Sequence, residues 1–196
     1  YVSASLNSPV HNFHPYNIPS ASMSPSLLIG DYVMAVEMLE DENINAGDMV
    51  VFRLPSDMSI DYIQRVVGLP GDRVQVIEGI LHINGDKLSR QNVGEIEVSI
   101  GAGNMRAILY EETFSNGHKH VIQELRDDLS FDNTPEFEVP EGHLFMMGDN
   151  RDNSRDSRSQ AVGFVPMENL VGKAEFIYFS HNNSARLFEI WKWPFA

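Results

Sequence analysis

Cysteine is absent from the 196 residues, which excludes disulfides, thiol nucleophiles and cysteine metal sites and leaves stability to packing. Positive charge is scarce, with 14 Lys and Arg against 28 Asp and Glu and a formal net charge of −14. A phosphate backbone is held by the Lys and Arg that neutralise it, so no nucleic-acid partner is expected. A solvated acidic surface accounts for the excess charge. No run approaches the roughly 20 apolar residues that a helix needs to cross a bilayer, and no charged-then-apolar start marks a targeting segment, so the chain reads as soluble. There is no glycine-rich phosphate loop. His118 and His120 stand two apart in what reads as a polar turn, and the other five histidines are scattered without ligand spacing. Neither a metal site nor a cofactor is expected.

What is present is a globular composition, 42% hydrophobic, able to bury a core as one domain or as a core with an insertion. Tyr32-Val-Met-Ala-Val36, Met49-Val-Val-Phe-Arg-Leu54 and the run from Tyr62 to Val67 are rich in strand formers and punctuated by Gly and Pro, which predicts a mostly β, antiparallel domain. An acidic stretch from Glu37 to Glu42 reads as a solvated loop. Glu78-Gly79 and Asn84-Gly85 separate short apolar runs at the spacing of tight hairpins. From Leu88 the β pattern loosens, with turns at Gly101-Ala-Gly103 and Asn116-Gly117. Residues 77–137 are therefore expected to form a smaller inserted antiparallel β domain, with 1–76 and 138–196 as the core. Strands resume at Gly142-His-Leu-Phe-Met-Met147, and Lys173-Ala-Glu-Phe-Ile-Tyr-Phe179 reads as a closing strand of alternating exposure. The aromatic tail from Ile190 to Ala196 is expected to pack on the core, being too short to anchor a domain at a membrane.

The chain is organised around Asn17-Ile-Pro-Ser-Ala-Ser-Met-Ser-Pro-Ser-Leu-Leu-Ile-Gly-Asp31. Pro19 and Pro25 restrict the residues before them, so the backbone between them is expected to be nearly extended, with Ser20 and Ser22 pointing the same way. A bare Ser-x-Ser is ordinarily a polar loop, and two later stretches raise it above that. They are Asp61-Tyr-Ile-Gln-Arg-Val-Val-Gly-Leu-Pro-Gly-Asp72 and Met146-Met-Gly-Asp-Asn-Arg-Asp-Asn-Ser-Arg-Asp-Ser-Arg158.

In that order the three stretches closely resemble the signature boxes of bacterial type I signal peptidases. The resemblance extends to Gly47-Asp-Met-Val-Val-Phe-Arg53, Gly163-Phe-Val-Pro166 and Asn169-Leu-Val-Gly172, and is weak from residue 77 to 137. It implies an antiparallel β catalytic core and a serine endopeptidase that removes signal peptides after Ala-x-Ala-type sites. Ser22 matches the nucleophile, Ser20 the hydroxyl that joins the nucleophile's amide in the oxyanion hole, and Ser154 the serine that orients the base. Ile18, Tyr62 and Ile63 match positions lining the substrate pockets, where an extended peptide would lie in β fashion. Arg65 with Asp149, and Asp156 with Arg158, match two structural ion pairs. The implied partners are preprotein signal peptides and the cytoplasmic membrane, on whose outer face the domain would act as a monomer. Such enzymes carry an N-terminal anchor just before the serine box, so the short polar lead over residues 1–14 suggests an anchor that has been removed.

One position departs from the pattern. The family's general base is a lysine whose amine is neutral through burial, and Gln64 stands there instead. A carboxamide can hydrogen-bond to Ser22 and Ser154 but cannot take a hydroxyl proton. Arg65 stays protonated and points from the opposite face of a strand. His143, beside the last box, is the first histidine to consider, and Lys87, Lys119, Lys173 and Lys192 lie outside the boxes. Three readings follow: a signal peptidase domain impaired at Gln64; a non-catalytic relative that binds signal-peptide ends; and a self-cleaving Ser/Lys regulator, disfavoured by the last box and the insertion.

Overall fold

The computed structural model of the chain describes residues 12–38, 43–101 and 103–181. The aromatic tail from Ile190, most of the polar lead and most of the acidic stretch after Glu37 lie outside them. Strands dominate. They are β1 (Phe13–Asn17), β2 (Asp31–Val36), β3 (Met49–Leu54), β4 (Asp57–Gly68), β5 (Arg73–Ile77), β6 (Ile80–Ile83) and β7 (Asp86–Lys87), followed by β8 (Ser89–Ile100), β9 (Gly103–Thr113), β10 (Lys119–Glu124), β11 (Phe137–Glu138), β12 (His143–Met147), β13 (Val165–Pro166) and β14 (Leu170–Ser180). Short 3-10 turns occupy Arg151–Asn153 and Met167–Asn169.

The main sheet has seven strands in the order β1-β2-β14-β3-β4-β12-β13, and two smaller sheets run β10-β9-β8 and β11-β5-β6-β7. All the strand pairings within these sheets are antiparallel, as the composition of the runs predicts. β14 lies inside the main sheet between β2 and β3, and bulges at Ala174/Phe176 and Ile177/Phe179 break its alternation. The hairpins joining β5, β6 and β7 turn on Glu78, Gly79, Asn84 and Gly85, all at positive φ (49°, 73°, 56° and 86°). Glycine adopts this backbone without Cβ strain and asparagine tolerates it.

β3 and β4 form the hairpin that carries the second signature stretch, with Val50 opposite Gln64 and Met49 opposite Arg65. β4 also pairs with β12, setting Met147 opposite Arg65. The strand therefore sits centrally, and its inner half is buried from Gln64 onward. Strand alternation sends Gln64 and Arg65 to opposite faces.

The segment 77–137 carries the β10-β9-β8 sheet and packs against the main sheet. Leu81, Leu88 and Phe114 share one apolar cluster with Val67, Phe145 and Met147 of the main sheet. Residue 77 ends β5, and Phe137 pairs back onto Val74. Gln123 N–H donates to Asp149 O at 2.8 Å, and Arg151 makes two hydrogen bonds to Glu112 at 3.1 and 2.6 Å. Buried, oppositely charged Arg151 and Glu112 thus pair across the boundary expected for the inserted domain.

Candidate active site

The serine loop between β1 and β2 is turned rather than extended. Ser24 N–H donates to Ala21 O at 3.1 Å and Leu27 N–H to Met23 O at 2.8 Å, and the Ser24–Pro25 peptide is cis. Met23 and Leu27 are 1% and 0% exposed, so the loop curls to bury two large apolar side chains that an extended backbone would have placed in water. Ser20 and Ser22 still face the same way, with their Oγ atoms 3.2 Å apart.

Around these hydroxyls lies an open groove of about 570 Å³, walled by Pro19 to Ser22, by Tyr62 and Ile63 of β4, and by Ser154. Ile18 is 3% exposed and packs in a core cluster with Met23, Leu27 and Val33; the groove wall begins at Pro19 instead. Gln64, 1% exposed, lies behind Ser154. Its Nε2 donates to Arg155 O at 2.7 Å and to Ser154 Oγ at 3.4 Å, while Oε1 has no hydrogen-bond partner. No hydrogen bond joins Gln64 to Ser22 among the described residues.

Gly148 explains how Ser22 and Ser154 come together. A Cβ at this position would overlap both Ser154 Oγ and the Ser22 carbonyl oxygen, so only glycine lets the loop after β12 pass between them. Asn150 completes the contact, its backbone N–H donating to Ser22 O and its Nδ2 to Ala21 O, both at 3.0 Å.

Beneath the serine loop lies a charged layer. Asp149 accepts from Arg65 Nε and Nη2 at 2.8 and 2.6 Å, and from Ser26 Oγ at 2.5 Å. Ser24 Oγ donates to Gln123 Oε1 at 2.9 Å. Arg158 forks onto Asp156 at 2.9 and 2.7 Å and also reaches Arg151 O at 2.7 Å. Such bidentate, charge-assisted pairs fix geometry as well as adding energy.

The same layer contains His120, 7% exposed and stacked on Phe114. It is core rather than the polar turn expected. Burial, then Arg65, Arg151 and His118, hold its pKa well below the usual 6.5. Burial pushes Glu124 up to about 8 against the pull of Arg90 and Arg151. Arg90 Nη1 lies 2.7 Å from Glu124 Oε2 as an ion pair, while its hydrogen bond runs to Gly79 O at 3.0 Å.

The other candidate bases are elsewhere. His143 sits on β12 with Nδ1 2.9 Å from Glu141 O. Lys119 bonds Glu111 and Lys173 bonds Asn43 O. Neither these residues nor Lys87 walls the groove, and Lys192 lies outside the described residues. Gly148, Asn150 and Gln123 had no role assigned from sequence. The first two lie in the third signature stretch, where a Gly-Asp-Asn run follows the buried Leu144 to Met147 of β12, a place where polar residues are buried only if bonded.

Residues 4–179 match the family described as Signal peptidase, peptidase S26. The chain belongs to the signal peptidase family. It is 36% identical over 193 residues to Signal peptidase I of Rickettsia typhi, covering 85% of this chain and 72% of that protein. It is 38% identical to Signal peptidase I of Rickettsia canadensis, covering 85% and 71%. A crystal structure of a signal peptidase I from Enterococcus faecalis V583 is 26% identical, covers 68% of this chain and 98% of that one, and has a TM-score of 0.42. Signal peptidases of this family are serine endopeptidases that remove signal peptides from preproteins.

Proposed function

We propose that this chain is a signal peptidase catalytic domain in which Ser22 is the nucleophile and Gln64 occupies the place of the general base, so that it binds signal-peptide ends but cleaves them slowly. One observation carries this reading. The two hydroxyls of Ser20 and Ser22 open together on the groove at 3.2 Å, while the buried residue bonded to Ser154 is a carboxamide. A serine hydroxyl needs a base to become a nucleophile, and an amide nitrogen has no free lone pair to offer.

In this reading an extended Ala-x-Ala segment lies against the edge formed by Tyr62 and Ile63, with its scissile carbonyl over Ser22. Ser20 Oγ and the Ser22 N–H receive the oxyanion; removing one such donor commonly costs roughly 3 kcal/mol of barrier. Ser154 holds the base position, and the Arg65–Asp149 and Arg158–Asp156 pairs keep the loop after β12 rigid. The domain acts as a monomer on preproteins at the outer face of the cytoplasmic membrane, tethered ahead of the serine loop. No cofactor takes part. A non-catalytic, peptide-binding role is the second reading, favoured by the hydrogen bonds that the uncharged Gln64 donates to Ser154 and Arg155.

The test compares this chain and Gln64→Lys, each with and without Ser22→Ala, on one preprotein bearing an Ala-x-Ala site in detergent. Ser22-dependent cleavage gained by Gln64→Lys supports the impaired-enzyme reading. Binding retained with no cleavage by any variant supports the second.

A further inference from the structure

The turn that presents Ser22 is gripped through two successive carbonyls. Ala21 O accepts from Asn150 Nδ2 at 3.0 Å and from Ser24 N–H at 3.1 Å, and Ser22 O accepts the Asn150 backbone N–H at 3.0 Å. The Ala21–Ser22 peptide is trans, so its C=O and N–H point in opposite directions. Holding the carbonyl on the Asn150 side turns the Ser22 N–H away from that side, and among the described residues this N–H meets no acceptor. Ser22 itself walls the groove.

We propose that Asn150 is a positioning residue whose side-chain amide fixes the Ala21–Ser22 peptide plane, so that the Ser22 N–H is presented to the carbonyl oxygen of a bound peptide. Asn150 is 3% exposed and does not wall the groove, so it acts through the peptide plane rather than by touching the substrate. The orientation of its amide is set by its partner, since exchanging nitrogen and oxygen would set two oxygens against each other at Ala21. Asn150 Oδ1 is buried without a hydrogen bond. Asn150 is itself held independently of that amide, since its carbonyl accepts Asn153 N–H at 3.0 Å and its backbone bridges to Gln123. Replacing the side chain therefore removes one bond to the serine loop and leaves the backbone bond to Ser22 in place.

The proposal rests on Ser22 as the reactive serine, and two measurements on the unaltered chain and its variants keep the two ideas separate. In ¹⁵N-labelled protein, the Ser22 amide is expected to exchange with water at close to the rate of an unbonded amide, and its residual dipolar coupling is expected to change in Asn150→Ala and Asn150→Ser. A protected Ser22 amide in the unaltered chain would overturn the proposal. So would an unchanged coupling in either folded variant, because the Ser24 N–H alone would then hold the plane. Next, titration with an Ala-x-Ala peptide ending in a carboxylate, and with its carboxamide, reads the same donor chemically. The unaltered chain is expected to prefer the carboxylate by about tenfold, the worth of a hydrogen bond to a charged group. Asn150→Ala should erase that preference by weakening carboxylate binding more than carboxamide binding; a preference that persists counts against Asn150. If neither peptide binds the unaltered chain, the functional reading fails, and the Ser22 coupling still decides the role of Asn150.

Discussion

Gln64 and Arg65 are neighbours on β4, yet the two sides they face are built from different materials. On the Gln64 side are hydroxyls and a carboxamide, all uncharged and hydrogen-bonded in two pairs, Ser20 with Ser22 at 3.2 Å and Gln64 with Ser154 at 3.4 Å. On the Arg65 side is a buried lattice of Arg65, Asp149, Glu112, Arg151, His120, Glu124 and Arg90, tightly paired at distances down to 2.6 Å. The charged side holds the serine loop still, and the hydroxyl side is where chemistry would occur. Stability should therefore be sensitive to the first and reactivity to the second.

The largest effect is expected from breaking the charged side. Glu112 is fully buried and Arg151 is 2% exposed, so Glu112→Ala leaves an uncompensated buried cation and should cost about 3–5 kcal/mol in urea unfolding, as for other broken buried pairs. Excising residues 77–137 removes Glu112, Gln123 and Phe114 together and should abolish cooperative unfolding of the remainder. A remainder that still unfolds cooperatively would mean that the segment is a separable lobe after all.

Gly148→Ala addresses the hydroxyl side. Its Cβ would overlap Ser154 Oγ and the Ser22 carbonyl oxygen, so a loss of about 1–3 kcal/mol is expected from overpacking. In a Gln64→Lys background it should also reduce the cleavage rate by more than this stability loss explains, since it would push Ser22 and Ser154 apart. Equal cleavage rates with and without the substitution would show that the loop gives way elsewhere.

A smaller effect should appear in the pH dependence of stability. Glu124 is raised in the folded state from 4.5 to about 8, so its contribution is fully present below 4.5 and is lost as pH rises through 8. His120 is depressed below 6.5, so its contribution is present above 6.5 and is lost as pH falls below it. The two oppose one another between 4.5 and 6.5, and Glu124 acts alone between 6.5 and 8. Glu124→Gln should flatten the decline in unfolding free energy across that upper window, by at most about 1.4 kcal/mol per pH unit. An unchanged slope in Glu124→Gln would assign the decline to another group.

The two sides also differ in how far the sequence reveals them. The strands and the hairpins of β5 to β7 are readable because β-branched runs and glycine turns act locally, at Glu78-Gly79 and Asn84-Gly85. The hydroxyl side is readable because its residues sit in long boxes whose order resembles a family. The outer half of β4, Asp57 to Asp61, is exposed throughout, Met58 and Ile60 included, so burial does not make it a strand; its pairing with β3 does. The curl of the serine loop is hidden because Pro19 and Pro25 argue for extension, while burial of Met23 and Leu27 overrides them. The charged lattice is the least readable. Glu112, His120 and Glu124 look like solvated polar residues until folding brings Arg151, Arg65 and Arg90 against them, and no spacing along the chain encodes that meeting.

The decisive measurement for the hydroxyl side is the pH–rate profile of Ser22-dependent cleavage, taken for this chain and for Gln64→Lys on the same Ala-x-Ala preprotein. Gln64→Lys should be faster by roughly 10²–10⁴-fold and should show a limb rising with pH as the buried lysine loses its proton. The chain as it stands should show only a slow rate without that limb. A fast Ser22-dependent rate with a rising limb in the unaltered chain would contradict the assignment of Gln64 to the base position, and would mean that another group, His143 first among them, takes the serine proton.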